Sequence, residues 1–147
     1  LRVFTKNNDS YYIDSEGWLM PLSNKYTSNI VVANGAIFSQ DSANYQANVT
    51  NLGKDHILRQ LYDITAFVSA DKFWKSQIVQ IYVDEKNNVE LIPRVGNHII
   101  ILGDATDLEK KLEKLMIFYK KGLSKTGWNE YSTINLKYNN QIVCTKR

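Results

Sequence analysis

The chain ends in the stretch Tyr131-Ser-Thr-Ile-Asn-Leu-Lys-Tyr-Asn-Asn-Gln-Ile-Val-Cys-Thr-Lys-Arg147. This stretch predicts two β-strands joined by a tight turn at Asn139-Asn140, so that the molecule would close on a strand with no element after it. A final strand often forms the edge of a sheet, and an edge carries a row of unpaired backbone donors and acceptors. Proteins either protect such a row or use it to bind another strand. The choice between these outcomes governs the functional interpretation.

A two-residue loop sets the predicted register of this hairpin. The predicted cross-strand pairs are Tyr138 with Gln141, Leu136 with Val143, and Ile134 with Thr145. The first strand alternates between apolar and polar residues, as a strand with one buried and one wet face does. The final strand, residues 141–145, has apolar residues on both sides. Two hypotheses remain open: the hairpin staples the sheet, or a partner adds a strand along residues 141–145 and contacts Lys137 and Tyr138.

The rest of the chain alternates between strands and two amphipathic helices. The first helix is predicted over 55–70 with Asp55 as N-cap, and the second begins near Asp104 or Thr106. The predicted strands are 1–5, 11–14, 18–22, 30–33, 36–38, 77–83, 89–93 and 98–102. Residues 39–50 are polar and predicted as loop. This order predicts an α+β domain with a largely antiparallel sheet, two main helices packed on one face and a C-terminal hairpin.

Composition favours a soluble globular chain of one domain. Hydrophobic residues make up 44% and charged residues 22% of 147 positions, which is an ordinary balance for such a domain. Eighteen basic and fifteen acidic residues are interleaved, which argues against a nucleic-acid groove. The single cysteine, Cys144, excludes an intrachain disulfide. Because the chain starts at Leu1 inside a predicted strand, we expect a fragment of a longer protein, with any membrane anchor outside it.

No pattern of catalytic residues stands out. The sequence lacks a phosphate-binding loop and a nucleophile elbow. His56 and His98 have no metal-type spacing and are predicted as a surface residue and a turn-flanking residue. Asp14 and Glu16 could form a carboxylate pair, but beside Gly17 they are predicted to build a turn. We therefore expect no enzyme activity, no cofactor and no metal, and a hydrolase is the least favoured hypothesis.

Aromatic residues leave a second binding function open. Nine Tyr and three Trp could line a groove for a sugar or a peptide. Trp74 and Trp128 lie at helix–strand junctions and are predicted to fill the edge of the core. A carbohydrate- or peptide-binding module is therefore the alternative hypothesis.

Three stretches resemble a known family, in the order and spacing of that family. They are Tyr11-Tyr-Ile-Asp-Ser-Glu-Gly17, Val95-Gly-Asn-His-Ile-Ile-Ile-Leu-Gly103 and Tyr131-Ser-Thr-Ile-Asn-Leu-Lys-Tyr138. They resemble a Val-Asp-x-x-Gly turn, a hydrophobic strand ending in Leu-Gly before an amphipathic helix, and a Tyr/Ile-Asp-Leu-Arg-Tyr-like final strand. These features are typical of the bacterial cell-division family FtsQ, also called DivIB. The resemblance spans most of the chain, but residues 23–54 contribute nothing to it.

The resemblance implies that residues 1–147 are a single FtsQ-type β domain. In that family a cytoplasmic tail, one membrane span and a POTRA domain precede it, and the β domain lies on the periplasmic side of the inner membrane at the division septum. The implied function is a non-catalytic divisome scaffold that supports septum formation. The implied partners are FtsB- and FtsL-type proteins, bound by strand addition at the last strand, and a septal synthase of the FtsW/FtsI type. The alternative remains a periplasmic carbohydrate- or peptide-binding module.

The resemblance also implies roles for residues of the hairpin. Tyr138 matches an interface tyrosine, and Lys137 matches a basic neighbour that pairs with a partner carboxylate. Asn140 and Gln141 match the turn that starts the binding strand. The predicted partner-binding residues are Lys137, Tyr138, Asn140, Gln141, Ile142, Val143, Cys144 and Thr145.

This chain departs from the family pattern at three places. Gln141 stands where some members have glycine, and Lys146 stands where some have an aromatic residue. Asp84 or Glu85 falls where some members carry an arginine on the preceding meander. These departures leave backbone pairing possible and alter the side chains that a partner would meet.

Overall fold

The computed structural model describes residues 1–21, 30–38, 47–139 and 141–147, and the fold is stated for them. Their strands are β1 (Arg2–Phe4), β2 (Ser10–Ile13), β3 (Leu19–Met20), β4 (Val32–Gly35), β5 (Ile78–Val83), β6 (Val89–Pro93), β7 (Ile99–Gly103), β8 (Tyr131–Asn135) and β9 (Val143–Lys146). The helices are α1 (Ile57–Ala70), α2 (Lys72–Gln77), α3 (Leu108–Phe118) and α4 (Ser124–Thr126), with a 3-10 turn at Val49–Asn51 and a π-helical turn at Tyr119–Leu123. None of these helices has the length and apolar character needed to cross a bilayer.

The strands form one sheet in the order β3-β2-β1-β4-β5-β6-β7-β8-β9. Five of the eight neighbouring pairs are antiparallel, and the pairs β1–β4, β4–β5 and β7–β8 are parallel. Parallel neighbours need a crossover connection, which α1 and α2 supply between β4 and β5 and α3 supplies between β7 and β8. The predicted α+β fold with a largely antiparallel sheet is confirmed.

One row of side chains crosses the sheet from β2 to β9 and faces the helices. Directly opposed residues form this row: Tyr11, Val3, Ala33, Ile81, Leu91, Ile100, Ile134 and Cys144. The buried apolar residues of α1 and α3 belong to the same core cluster as this row. Both main helices therefore pack on one face of the sheet, as predicted, and this leaves the ends of the sheet as the places where backbone groups become available.

The predicted helix N-caps are wrong by one to three residues. His56, not Asp55, caps α1, and its Nδ1 accepts a backbone N–H at 3.1 Å. The helix α3 begins only after Asp107. Asp104 instead accepts the backbone N–H of Thr106 at 3.0 Å. This local turn competes with helix formation and delays the start of the helix.

Residues 36–38, predicted as a strand, are not in one. Gly35 ends β4 with a φ of 109°, and a Cβ there would lie 2.2 Å from the carbonyl oxygen of Val83. The backbone thus turns close against β5, where only glycine fits. Of the predicted strand 18–22, β3 retains two residues, and residue 22 lies outside the described residues. Of the predicted loop 39–50, residues 39–46 also lie outside them.

Candidate partner-binding edge

Among the described residues, the terminal strand β9 is an edge of the sheet and pairs only with β8. At the opposite edge β3 has only two residues, and the amide of Leu19 donates to the carbonyl of Ala47 at 3.1 Å. Of the two sheet edges in the described ranges, β9 is therefore the longer and the more open. Its side chains are mostly exposed, with Val143 at 43%. The prediction that the last strand forms an edge is confirmed.

The predicted register of the hairpin is wrong by one residue. The observed pairs are Asn135 with Val143, Ile134 with Cys144, and Thr133 with Thr145. Strand β8 stops at Asn135, whose side chain accepts the backbone N–H of Lys137 at 2.9 Å. Residues 136–142 then form a wider connection, in which Asn140 lies outside the described residues. A one-residue slip exchanges the two faces, so Cys144 shares the helix-covered side with Ile134 and Val143 turns to the other side.

The neighbouring strand β7 explains this difference. The amide of Leu136 donates to the carbonyl of Ile101 on β7 at 2.9 Å. Backbone groups alternate along a strand, so the even-numbered residues of β8 and its continuation are directed toward β7. A two-residue turn would need Tyr138 and Leu136 to direct the same groups toward β9. Pairing with β7 therefore excludes the tight hairpin that the local sequence favours.

Helix α3 holds the connection from the other side. The ammonium group of Lys114 donates to the carbonyls of Tyr138 at 2.6 Å, Gln141 at 3.3 Å and Leu136 at 3.5 Å. Burial lowers the pKa of Lys114, and the neighbouring charge of Lys111 lowers it further. Lys114 is thus a partly desolvated cation whose charge is directed at the loop that precedes β9.

Several backbone groups of β9 are already bonded to the region of β8. The amide of Arg147 donates to the carbonyl of Glu130 at 3.2 Å. The carbonyl of Thr145 accepts the hydroxyl of Ser132 at 3.2 Å. Because backbone groups alternate along an extended strand, Val143 also directs its N–H and C=O groups toward β8.

The remaining groups of β9 face the open edge. The same alternation directs the N–H and C=O groups of Cys144 and Lys146 away from β8. Two donors and two acceptors are consequently available to an added strand, with about 7 Å between equivalent groups. The thiol of Cys144 points to the helix side, and burial raises its pKa.

Lys137 and Tyr138 lie in the connection rather than in a strand, which corrects the prediction that the first strand runs through Tyr138. The stem of Lys137 crosses Gly103, where an added Cβ would approach Lys137 Cγ to 2.9 Å. Lys137 forms one wall of a groove of about 810 Å³, together with Asn87, Asn139 and several residues at the start of α3. Tyr138 is 48% exposed. Both side chains are therefore exposed in the connection that precedes β9.

A second, apolar groove lies beside the start of β9. It measures about 440 Å³ and is lined by Ile117 and Phe118 of α3 and by Gln141 and Ile142, among others. Ile117 is 49% exposed. Neither Ile117 nor Phe118 was predicted from the sequence to have a role. Ile117 is apolar but lies off the helix face that buries Leu112 and Leu115, and this position is the signal that could have identified it.

The acidic residues of the meander are engaged in their own turn. Asp84 Oδ1 accepts the amides of Lys86 and Asn88, both at 2.8 Å. Partial burial acts to raise the pKa of Asp84, but these hydrogen bonds prevail and lower it. Glu85 pairs with Lys6 at 3.1 Å. Neither carboxylate is directed at β9.

His98 flanks the turn before β7, as predicted, and its side chain is buried. Its side chain is 2% exposed, and its Nε2 lies 2.8 Å from the hydroxyl of Tyr119. Burial lowers the pKa of His98; the Trp128 carbonyl acts to raise it, and the Arg147 guanidinium lowers it. The same Arg147 donates to the carbonyl of Asn97 and so ties the end of β9 to the start of β7. His98 is therefore a neutral core residue.

Trp74 is buried in the hydrophobic core, and Trp128 is partly buried against that core. This confirms their predicted place at the edge of the core. The predicted turn at Asp14 is also confirmed, because Asp14 Oδ1 accepts the amides of Glu16 and Trp18, both at 2.9 Å. Among the described residues no three His, Cys, Asp or Glu side chains are grouped so that they could hold a metal ion.

The fold and the edge together define a class of protein: an α+β domain with helices on one face and an open terminal strand, suited to binding another chain. A family model described as FtsQ/DivIB, C-terminal related, matches residues 1–145, and the chain belongs to this family. The membership suspected from the three sequence motifs is thus confirmed. Comparison with the curated proteins found no match. The family is a non-enzymatic scaffold family of bacterial cell division and is associated with the membrane.

Proposed function

We propose that this chain is a non-catalytic scaffold domain of the divisome that binds FtsB- and FtsL-type division proteins by strand addition at β9. The observation that carries the proposal is the open edge, where Cys144 and Lys146 direct backbone donors and acceptors away from β8. Family membership supports a role in division, and the edge supports the mode of binding. A septal synthase of the FtsW/FtsI type is a further partner in this proposal.

In the same proposal the chain is one FtsQ-type β domain of a longer protein. That protein is anchored in the inner membrane, and the domain lies on its periplasmic side at the division septum. The domain contributes to septum formation by holding its partners in place, without chemistry of its own.

Side chains next to the edge define what the partner segment offers. Lys137 is exposed in the connection that precedes β9, so its ammonium group fits an acidic residue of the partner. Lys146 lies on β9 itself, where some family members have an aromatic residue, and adds a second positive charge. Tyr138 supplies a large amphipathic ring for side-chain packing. An extended segment with acidic and apolar residues therefore matches this surface.

A calorimetric titration with the matching segment of the FtsB-type protein from the same organism tests the proposal. We expect saturable binding by the wild-type domain and affinity at least tenfold lower for Tyr138→Ala, since exposed aromatic anchors dominate such interfaces. Tyr82→Ala is the matched control, because Tyr82 is an exposed tyrosine on β5, away from the edge.

Two results would contradict strand addition at this site. One is the absence of saturable binding by the wild-type domain, and the other is equal loss of affinity in Tyr138→Ala and Tyr82→Ala. Saturable binding of peptidoglycan fragments without binding of the segment would favour the carbohydrate-binding alternative.

A further inference from the structure

We propose that Lys114 of α3 fixes the register of β9 and thereby decides which groups the open edge presents. The functional half of this inference rests on the strand addition proposed above. The structural half concerns the free domain and stands without any partner.

The ammonium group of Lys114 has three N–H donors, and three carbonyls of the connection lie within hydrogen-bond distance of it. The shortest contact, 2.6 Å, is to Tyr138, a residue predicted to contact the partner. The adjacent residues Leu112 and Leu115 are buried in the core, so the helix that carries Lys114 is firmly placed. A charged donor on a firmly placed helix thus joins the connection to α3.

The hydrophobic pattern alone leaves the register weakly determined. Ile142 and Cys144 are apolar on one side of the terminal strand, and Val143 is apolar on the other. A slip by one residue would therefore still place an apolar side chain on the helix side. The bond from the amide of Leu136 to β7 excludes a two-residue turn. It does not decide whether the odd- or the even-numbered residues of β9 pair with the outward groups of β8. The positions of Leu136, Tyr138 and Gln141 in the connection make the choice, and Lys114 holds them by hydrogen bonds.

The register determines what a partner would meet. In the observed register Cys144 and Lys146 direct their backbone groups outward. After a slip by one residue, Val143 and Thr145 would do so, and the side-chain faces would exchange. Lys114 acts from a distance on these groups and is a positioning residue, since it reaches the edge only through the connection.

Amide hydrogen exchange of the free domain tests the structural half. Wild type should protect the amides of Val143 and Thr145 and leave those of Cys144 and Lys146 in rapid exchange. In Lys114→Met we expect exchange at Val143 and Thr145 to become at least tenfold faster, because charged hydrogen bonds to the connection are lost. Methionine is a good helix former of similar length, so α3 is retained.

Matched variants distinguish the loss of the Lys114 hydrogen bonds from a general effect of removing a positive charge. Lys114→Arg keeps the charge and several donors and should keep the wild-type exchange pattern. Lys75→Met removes an exposed lysine from α2, far from the connection, and should also behave as wild type. Unchanged protection of Val143 and Thr145 in Lys114→Met, or the same loss in Lys75→Met, would overturn the inference.

The functional half is tested by titrating the same FtsB-type segment into these variants. Affinity should fall about tenfold in Lys114→Met and stay within about threefold of wild type in Lys114→Arg and Lys75→Met. Full affinity in a Lys114→Met domain with altered exchange would overturn the functional half. If the wild-type domain fails to bind the segment, strand addition is refuted, and the exchange data still decide the structural half.

Discussion

A proline placed at Cys144 tests the outward direction of the edge groups. The amide of Cys144 points away from β8, so proline there removes a donor that the folded domain does not use internally. Cys144→Ala is the matched control because it removes the same thiol and keeps the N–H. Val143→Pro is the opposite case, since the amide of Val143 faces β8.

The structure sets the size of the effect. One backbone hydrogen bond contributes about 1 kcal/mol net, which corresponds to roughly fivefold in affinity. The proline ring also occupies the place of the incoming carbonyl and displaces the bonds next to it. We therefore expect Cys144→Pro to bind the FtsB-type segment with a free energy about 2–3 kcal/mol weaker than Cys144→Ala, which is roughly 30- to 150-fold in affinity.

The free energy of unfolding should distinguish the variants differently: we expect Val143→Pro, and not Cys144→Pro, to be the destabilised domain. Cys144→Pro and Cys144→Ala lose the same partly buried thiol, so their stabilities should agree within about 1 kcal/mol. Val143→Pro should lose about 3 kcal/mol, because it breaks a bond to β8.

Titration calorimetry gives the affinities and urea unfolding gives the stabilities. Equal affinities of Cys144→Pro and Cys144→Ala would refute strand addition at this edge. Greater loss of stability in Cys144→Pro than in Val143→Pro would show that the inward and outward groups are assigned the wrong way round.

Two further predictions concern the scaffold behind the edge. Leu115→Ala removes a fully buried side chain from α3 and should lower the free energy of unfolding by about 2–5 kcal/mol in urea, whereas a loss below about 1 kcal/mol would be inconsistent with the described core. The folded state lowers the pKa of His98 below the ordinary value of 6.5, so the unfolded chain binds its proton more readily. The contribution of His98 to the free energy of unfolding should therefore be fully present above about pH 6.5. It should decline as the pH falls below that value, until the pH reaches the folded-state pKa. Thermal unfolding between pH 7.5 and 5 should show this decline in wild type, and His98→Gln should lack that component; identical pH profiles would contradict the assignment.

The central strands and α1 were predictable because their signals are local. The predicted strand 89–93 coincides with Val89–Pro93, and the helix predicted over 55–70 matches Ile57–Ala70 apart from its first turn. In both, the spacing of apolar residues alone distinguishes a strand from a helix. The edge position of the last strand was also predicted from the hairpin pattern.

The register of the terminal hairpin was not predictable from the hairpin itself. The amide of Leu136 is taken by Ile101, and the carbonyl of Tyr138 is taken by Lys114, so both constraints come from distant parts of the sequence. The burial of His98 was not predictable for the same reason, because Tyr119 of the π-helical turn contacts it only in the folded chain. A turn prediction depends on neighbouring residues only. The hairpin register and the burial of His98 depend instead on the packing of β7 and α3, which are distant in sequence.

Amide hydrogen exchange across β9, measured with and without the FtsB-type segment, tests strand addition most directly. Binding should slow exchange at Cys144 and Lys146 by at least tenfold, because their amides gain partners. The amides of Val143 and Thr145 should already be protected in the free domain and change little. Unaltered exchange at Cys144 and Lys146 at a saturating concentration of the segment would contradict strand addition at β9.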